Sequence, residues 1–204
     1  MTNLAKVSNI YKSSAVVGFW TLCSRVMGFI RDILFASILG SGAVADAFLL
    51  AFRIPNLFRK FFAEGAFSAA FIPLLTEKNE KYGLQAGVAF TSNIASLLLF
   101  IVIPLIILSE FFMPSIVNFI APGFINDIER LELAIPYARI VFPYLVFIIF
   151  TALFASALNT SGRFWSGAAA PVILNVFLII ALIISIYFDK DTGIIMCWAV
   201  LLAG

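Results

Sequence analysis

Histidine is absent from this 204-residue chain, and charged residues make up only 12% of it. Without an imidazole the chain can form neither a Ser-His-Asp triad nor a histidine metal site, the commonest hydrolase and zinc chemistries. Its two cysteines, Cys23 and Cys197, lie inside apolar stretches, which predicts no disulfide framework and no redox motif. The sequence also lacks a Walker motif and a glycine-rich phosphate loop. We therefore expect that the protein is not an enzyme and that it binds neither a cofactor nor a metal ion.

Apolar residues are what the sequence has in abundance. They amount to 63% of the chain, against about 45–50% in a soluble domain, and the mean hydropathy is +1.09. A water-soluble fold of this size has too small an interior to bury so many apolar side chains. The sequence therefore predicts an all-α, polytopic transmembrane helical bundle, surrounded by membrane lipids and without a nucleic-acid partner.

Windows of about 20 apolar residues, the length that crosses a bilayer, define the predicted spans. Six are found, at about 13–39, 43–60, 82–109, 128–160, 164–188 and 193–204. Pro136 and Pro143 predict a bend in the fourth span, and Phe111–Phe124 is expected to rest on the outer membrane surface. The sixth span is too short to cross. We expect a longer protein cut inside this helix, rather than a complete protein that ends in an interfacial segment.

Lysines and arginines between the spans predict the orientation of the chain. A cytoplasmic N-terminus leaves only Arg130 and Lys190 on the outer side. The loop 61–81 is then cytoplasmic, and its amphipathic stretch around Phe67–Leu75 lies on or near the membrane. The cations that this orientation places inside are Lys6, Lys12, Arg59, Lys60, Lys78, Lys81 and Arg163.

Three arginines, Arg25, Arg31 and Arg53, lie inside predicted spans, where each costs about 2.5–3.5 kcal/mol at a helix centre. One explanation is that they pair with Asp32 and Asp46 or reach lipid headgroups, although two carboxylates cannot neutralise three cations. The other explanation is a water-filled cationic cavity for an anionic ligand. Planar guanidinium groups suit the second explanation because they bind phosphate oxygens bidentately.

Gly28 and Pro55 are candidate breaks in the first two helices. Arg25 and Arg31 are separated by about 120° on an ideal helix, so a bend or unwinding at Gly28 could turn both toward one cavity. Pro55 is expected to break the second helix ahead of Arg59. Ordinary helix packing or a structural kink explains either residue equally well when it is taken alone. Broken helices around a polar cavity are typical of secondary transporters.

Several charged segments follow one another in a specific order. Residues 24–32 read SRVMGFIRD, ADAF at 45–48 leads to RIPNLFRK at 53–60, and FAEGAFS at 62–68 precedes FIP at 71–73. With APGF at 121–124 and ALNT at 157–160, they resemble the N-terminal region of the MurJ (MviN) family. These are lipid II flippases of the multidrug/oligosaccharidyl-lipid/polysaccharide exporter superfamily.

The resemblance implies a transporter of 14 helices in two lobes. This chain would be the N-lobe, with helices 1–5 and part of helix 6, and its C-lobe would be absent. The resemblance also implies site residues. Those for substrate binding are Arg25, Arg31 and Arg59, those for gating are Asp46 and Glu64, and further cavity or hinge candidates are Ser24, Gly28, Arg53, Pro55 and Asn56.

The activity that the resemblance implies is outward flipping of lipid II, the undecaprenyl-diphosphate-linked peptidoglycan precursor, across the bacterial inner membrane by alternating access. Its partners would be lipid II, membrane lipids and the missing C-lobe. From the depths of the two residues in their helices, we expect Asp46 to approach Arg31 when the outer side closes. Two alternatives stay open. One is another exporter of the superfamily, such as a polysaccharide-lipid flippase or a drug antiporter, and the other is a non-transporting membrane scaffold.

Overall fold

The computed structural model describes the backbone of residues 2–63, 66–188 and 191–204, and the side chains of residues 14–57, 67–188 and 191–204. Regular structure in these ranges is entirely helical, which confirms the all-α prediction. A short 3-10 turn, Pro122–Phe124, precedes the fifth helix. The α-helices are α1 Thr2–Leu39, α2 Ala43–Ala63, α3 Ala66–Tyr82, α4 Leu84–Ile120, α5 Ile128–Val141, α6 Tyr144–Thr160, α7 Trp165–Phe188 and α8 Thr192–Leu202.

Among the described residues, α4 and α7 are each long and apolar enough to cross a membrane alone. α5 and α6 qualify together as one broken span, bent by 40° at the junction that contains Pro143. Proline has no backbone N–H and its ring clashes with the preceding turn, so a break is expected at this position. Pro136, which also predicted a bend, lies inside α5. α8 is apolar but has only 11 residues.

The segment Phe111–Phe124 is mostly helical. α4 continues through Pro114 to Ile120, so most of the expected surface segment is the end of a long helix. Met113 and Val117 on this part of α4 are fully buried. These two side chains pack the end of α4 into the core, and the position of the segment at the outer membrane surface stays a prediction.

Pro55 does not break the second helix, contrary to the prediction. α2 is continuous from Ala43 to Ala63, and Pro55 lies fully buried inside it. The N–H that Pro55 lacks would have bonded to the carbonyl of Ala51, and the Asn56 amide donates instead to the next carbonyl, that of Phe52, at 2.9 Å. Prolines are tolerated inside helices of apolar bundles. α1 is likewise continuous through Gly28.

The core of the molecule lies around α2. This helix packs on α5, α6, α8 and α3, whereas α1 meets the bundle mainly through α7. Ala47 and Ala51 of α2 are completely buried, and small residues of this kind let neighbouring helices approach closely. Because α1 is covered mainly by one neighbour, much of its surface stays outside the core. Other fully buried core residues are Tyr137, Leu145, Leu153, Met196 and Val200.

Candidate functional site

One face of α1 packs toward the rest of the bundle and carries several of the predicted site residues. The half-buried positions of this helix recur every three or four residues, the spacing of one helical face. Ser24, Gly28 and Arg31 lie on this face, whereas Arg25 is exposed. The positions that define the face are Val17, Trp20, Cys23, Ser24, Met27, Gly28, Arg31, Leu34, Phe35, Ile38 and Leu39.

Arg31 is held from two sides. Its Nε and Nη2 donate to Oδ1 of Asp32 at 3.0 and 2.7 Å, and its Nη1 donates to Oδ1 of Asn175 on α7 at 2.8 Å. The Asn175 amide in turn donates to the backbone carbonyl of Ser24 at 3.1 Å. The Arg31 side chain is 25% exposed and that of Asp32 is 66% exposed. The guanidinium group is therefore fixed in direction while part of it stays accessible.

Arg25 and Arg31 are not brought together by a break in α1. The helix is unbroken at Gly28, so the two arginines remain on different sides of it. Arg25 and Arg53 are both exposed and have no ion pair within the part of the chain that the structure describes. Arg59 and Glu64 lie outside the residues whose side chains the structure describes.

Asp46, the predicted gate residue, contacts a different arginine from the one expected. Its Oδ2 accepts a hydrogen bond of 2.9 Å from Nε of Arg130, in the first turn of α5. Nη1 of Arg130 also pairs with the carboxylate of Asp127, which precedes α5. The side chains of Asp46 and Arg130 are 42% and 33% exposed. In this structure Asp46 thus joins α2 to α5, while Arg31 is occupied by Asp32 and Asn175.

Asp127 caps α5 as well as pairing with Arg130. Its Oδ1 accepts the backbone N–H of Arg130 at 3.2 Å, which satisfies one of the free donors at the start of the helix. This backbone hydrogen bond, followed by the hydrogen bond from the Arg130 guanidinium, lowers the pKa of Asp127. The carboxylate is therefore well suited to stay ionised beside Arg130.

The ion pairs leave an excess of positive charge on the first two helices. Both acidic side chains of α1 and α2 that the structure describes, Asp32 and Asp46, are paired, and the arginine on Asp46 comes from α5. Arg25 and Arg53 are left without a counter-ion among the described side chains. Within the part of the chain that the structure describes, internal pairing therefore does not account for these two arginines.

Sequence reasoning missed the roles of Arg130 and Asn175. Arg130 was weighed only as an outer-side charge, although an aspartate three residues ahead of it is a typical helix start. Asn175, a polar residue inside an apolar span, was given no ligand role from the sequence, and the structure shows that its amide holds Arg31. A further interhelical pair joins Glu110 of α4 to Arg139 of α5 at 4.0 Å, and Oε1 of Glu110 is buried without a hydrogen-bond partner among the described residues.

Residues 35–204, most of the chain, match the family whose description reads "Lipid II flippase MurJ". The chain belongs to the MurJ family. A "Probable lipid II flippase MurJ" of Rhizobium tropici is 41% identical over 200 residues, which cover 96% of this chain and 38% of the relative. The "Lipid II flippase MurJ" of Burkholderia cenocepacia is 37% identical over 196 residues, with the same two shares.

A solved structure of this family has the same fold. The protein named "Lipid II flippase MurJ, inward closed conformation" superposes with a TM-score of 0.78 at 33% identity, covering 93% of this chain and 40% of that one. The resemblance found in the charged segments is thus confirmed, and membership of this family together with the apolar helices makes the chain a membrane protein. The chain spans about 38% of the length of the curated relatives it matches.

Proposed function

We propose that this chain forms the anion-binding part of a lipid II flippase, with lipid II carried from the cytoplasmic to the outer leaflet by alternating access. The observation that carries the proposal is the cationic excess on α1 and α2, where Arg25 and Arg53 have no counter-ion among the described side chains. The names of the relatives and of the solved structure support lipid II as the substrate. Transport of this kind makes and breaks no covalent bond.

The arginines fit the diphosphate of such a lipid. A guanidinium group has five N–H donors, and Arg31 uses three of them on Asp32 and Asn175. Two N–H donors remain without an acceptor among the described residues, and they can bind a phosphate oxygen. Arg25 and Arg53 supply uncompensated charge, while the polyprenyl tail stays in the bilayer. An inside-negative potential of about 100 mV would favour export of each negative charge by about 2.3 kcal/mol.

The proposed location is the bacterial inner membrane, with a cytoplasmic N-terminus. The distribution of lysine and arginine between the spans supports this orientation. It puts the turn between α1 and α2, together with Asp46, Asp127 and Arg130, on the outer side. The pairs that join α2 to α5 would then lie where an outer gate closes.

Reconstitution of the full-length gene product that contains residues 1–204 tests the proposal. Proteoliposomes with fluorescent lipid II should show protein-dependent flipping, and Arg25→Ala and Arg31→Ala should each slow it by about tenfold or more, the loss expected for a charge-assisted hydrogen bond. Arg163→Ala is the matched control, because this exposed arginine lies in the loop between α6 and α7. Equal rates in all four proteins would contradict a role of these arginines in binding.

The same vesicles distinguish the alternatives. A polyprenyl-diphosphate-linked sugar without the pentapeptide, flipped as fast as lipid II, would favour a polysaccharide-lipid flippase. Transport of an organic cation would favour a drug antiporter. Vesicles that move none of these substrates, with protein that is folded by size-exclusion chromatography, would favour the non-transporting scaffold.

A further inference from the structure

α7 contributes one buried polar side chain to the face of α1 that carries Arg31. Asn175 is 5% exposed and lies in one of the most apolar helices of the chain. Its Oδ1 accepts the hydrogen bond from Arg31, and its Nδ2 donates to the carbonyl of Ser24, so both ends of the amide are used. A backbone carbonyl has two lone pairs and can accept this bond in addition to its own helical one.

Gly28 lies beside this amide. It lies between Ser24 and Arg31 on the same face of α1, and a Cβ placed on it would lie 3.6 Å from Nδ2 of Asn175. The Asn175 side chain therefore lies directly against the glycine, at ordinary contact distance. This position explains Gly28 as part of a contact surface for α7, within a helix that does not bend open there.

The amide group of Asn175 suits this position for a chemical reason. The side chain must accept a hydrogen bond from a guanidinium and donate one to a carbonyl at the same time, and it must leave the charge of Arg31 uncancelled. An amide meets these three demands, whereas a carboxylate cannot donate and a hydrocarbon can do neither. Asp32 holds the opposite edge of the guanidinium, so the two contacts together define the direction of the group.

We propose that Asn175 is a positioning residue that fixes the guanidinium of Arg31, so that its two remaining N–H donors face an anionic phosphate headgroup. The part concerning the headgroup rests on the proposed function. The part concerning Arg31 does not, because the contacts of Asn175 with α1 involve only this chain.

The first test needs no substrate. In the full-length gene product, phenylglyoxal modifies accessible arginines, and mass spectrometry measures the rate for each one. Asn175→Leu should raise the modification rate of Arg31 several-fold and leave Arg25, which Asn175 does not contact, as an unchanged internal reference. Asn175→Asp still offers an acceptor, so Arg31 should stay nearly as protected as in the wild type. An unchanged Arg31 rate in Asn175→Leu would overturn the proposal.

The second test measures flipping against lipid II concentration. Asn175→Leu should raise the half-saturating concentration by about tenfold, since a hydrogen bond to a charged group is lost, with the maximal rate per folded protein within about twofold. Asn175→Asp should also raise the half-saturating concentration, because the added carboxylate competes with the phosphate for Arg31. Ser185→Ala is the matched control, since Ser185 is equally buried on α7 but bonds only to Leu182 of its own helix.

The two tests distinguish a failure of the proposed function from a failure of the proposed role of Asn175. A wild-type protein that flips no lipid II contradicts the proposed function, while the phenylglyoxal rates still decide whether Asn175 holds Arg31. Asn175→Leu could expose Arg31 to phenylglyoxal and yet leave the half-saturating concentration of lipid II unchanged. That result would overturn the part of the proposal that concerns the phosphate headgroup. A loss of folded protein equal in Asn175→Leu and Ser185→Ala, with normal kinetics in what remains, would mean that Asn175 is only structural and would overturn the proposal.

Discussion

Arg31 illustrates how the surroundings of one side chain determine what it can bind. Its guanidinium lies between an aspartate of its own helix and an asparagine of α7, with donors left over. Arg25, six residues earlier, has none of these contacts and is exposed. We therefore expect the two arginines to differ in role, with Arg31 as a donor held in one direction and Arg25 as an exposed charge on a long side chain.

A double substitution, Arg25→Lys with Arg31→Lys, tests whether geometry matters beyond charge. Lysine keeps the charge but offers a compact ammonium in place of a planar fork, so it cannot hold Asp32, Asn175 and a phosphate oxygen together. We expect flipping of lipid II to fall by about tenfold or more, with the loss of a charge-assisted hydrogen bond. Wild-type rates in the double variant would leave only a requirement for positive charge.

Gly28→Ala distinguishes a packing glycine from a hinge. The added Cβ meets Asn175 at an ordinary contact distance, and Gly28 lies within a continuous helix. Alanine in a helix interior is more favourable than glycine by about 0.5–1 kcal/mol. We therefore expect equal or higher thermal stability and a flipping rate within about twofold of wild type, given the small size of this change. A large loss of flipping in a stable variant would instead indicate that the helix must unwind here.

At the scale of helices, α2 and α5 are joined at their starts by Arg130, which lies between two carboxylates. The contact joins Asp46, in the first turn of α2, to the start of α5, where Asp127 caps the helix. Asp46 is the residue predicted to close the outer gate. If Asp46 is to reach Arg31, it must first leave Arg130. The structure thus represents a state in which Asp46 and Arg31 each have another partner.

A double-mutant cycle tests which arginine Asp46 contacts. Asp46→Asn and Arg130→Gln should show a small favourable coupling energy in thermal unfolding, because both side chains are partly exposed and water screens the pair. The parallel cycle of Asp46→Asn with Arg31→Gln should show none in the same state. Coupling confined to the second cycle would mean that Asp46 pairs with Arg31 in solution.

Asp127 should make stability depend on pH. Its pKa is lowered in the folded chain, so its contribution is present above the unfolded value of about 4 and is lost as the pH falls through the folded value. Asp127→Asn removes this contribution at neutral pH. The unfolding temperature of the variant should therefore fall less than that of the wild type between neutral and acid pH. Parallel decreases in both proteins would show that Asp127 does not contribute.

At the scale of the whole molecule, α1 is covered mainly by α7. Large apolar side chains such as Phe19, Leu22 and Phe29 on α1 are exposed, as is Arg25. Lipid can cover the apolar side chains, but a charged one needs water or a protein partner. A second bundle beside α1 would supply a solvated interface, as in transporters where one bundle rocks against another around the site.

We therefore expect that residues 1–204 alone do not flip lipid II. With a single bundle there is nothing to alternate against, and polar groups facing lipid would cost several kcal/mol each. The measurement is flipping in liposomes that contain residues 1–204, compared with protein-free vesicles and with the full-length gene product. Transport at the rate of the full-length product would contradict the two-lobed mechanism.

The sequence by itself determined the class of the molecule and its charged candidates. Long apolar windows and prolines are local features of the sequence. The windows predicted the all-α membrane fold, and Pro143 predicted the break. The excess of arginine over acid was also visible from composition. Pro55 and Gly28 show the limit of local reasoning, because each was a plausible break and yet both helices are continuous through them.

The pairing of the charges was decided only by the tertiary structure. Asn175 lies 144 residues from Arg31, and Arg130 lies 84 residues from Asp46, so neither contact has a signature in the sequence between them. The depth and rotation at which α7 lies against α1, and α5 against α2, determine which donor meets which acceptor. These are properties of whole packed surfaces, because a side chain can contact only what the opposite helix presents to it at that depth.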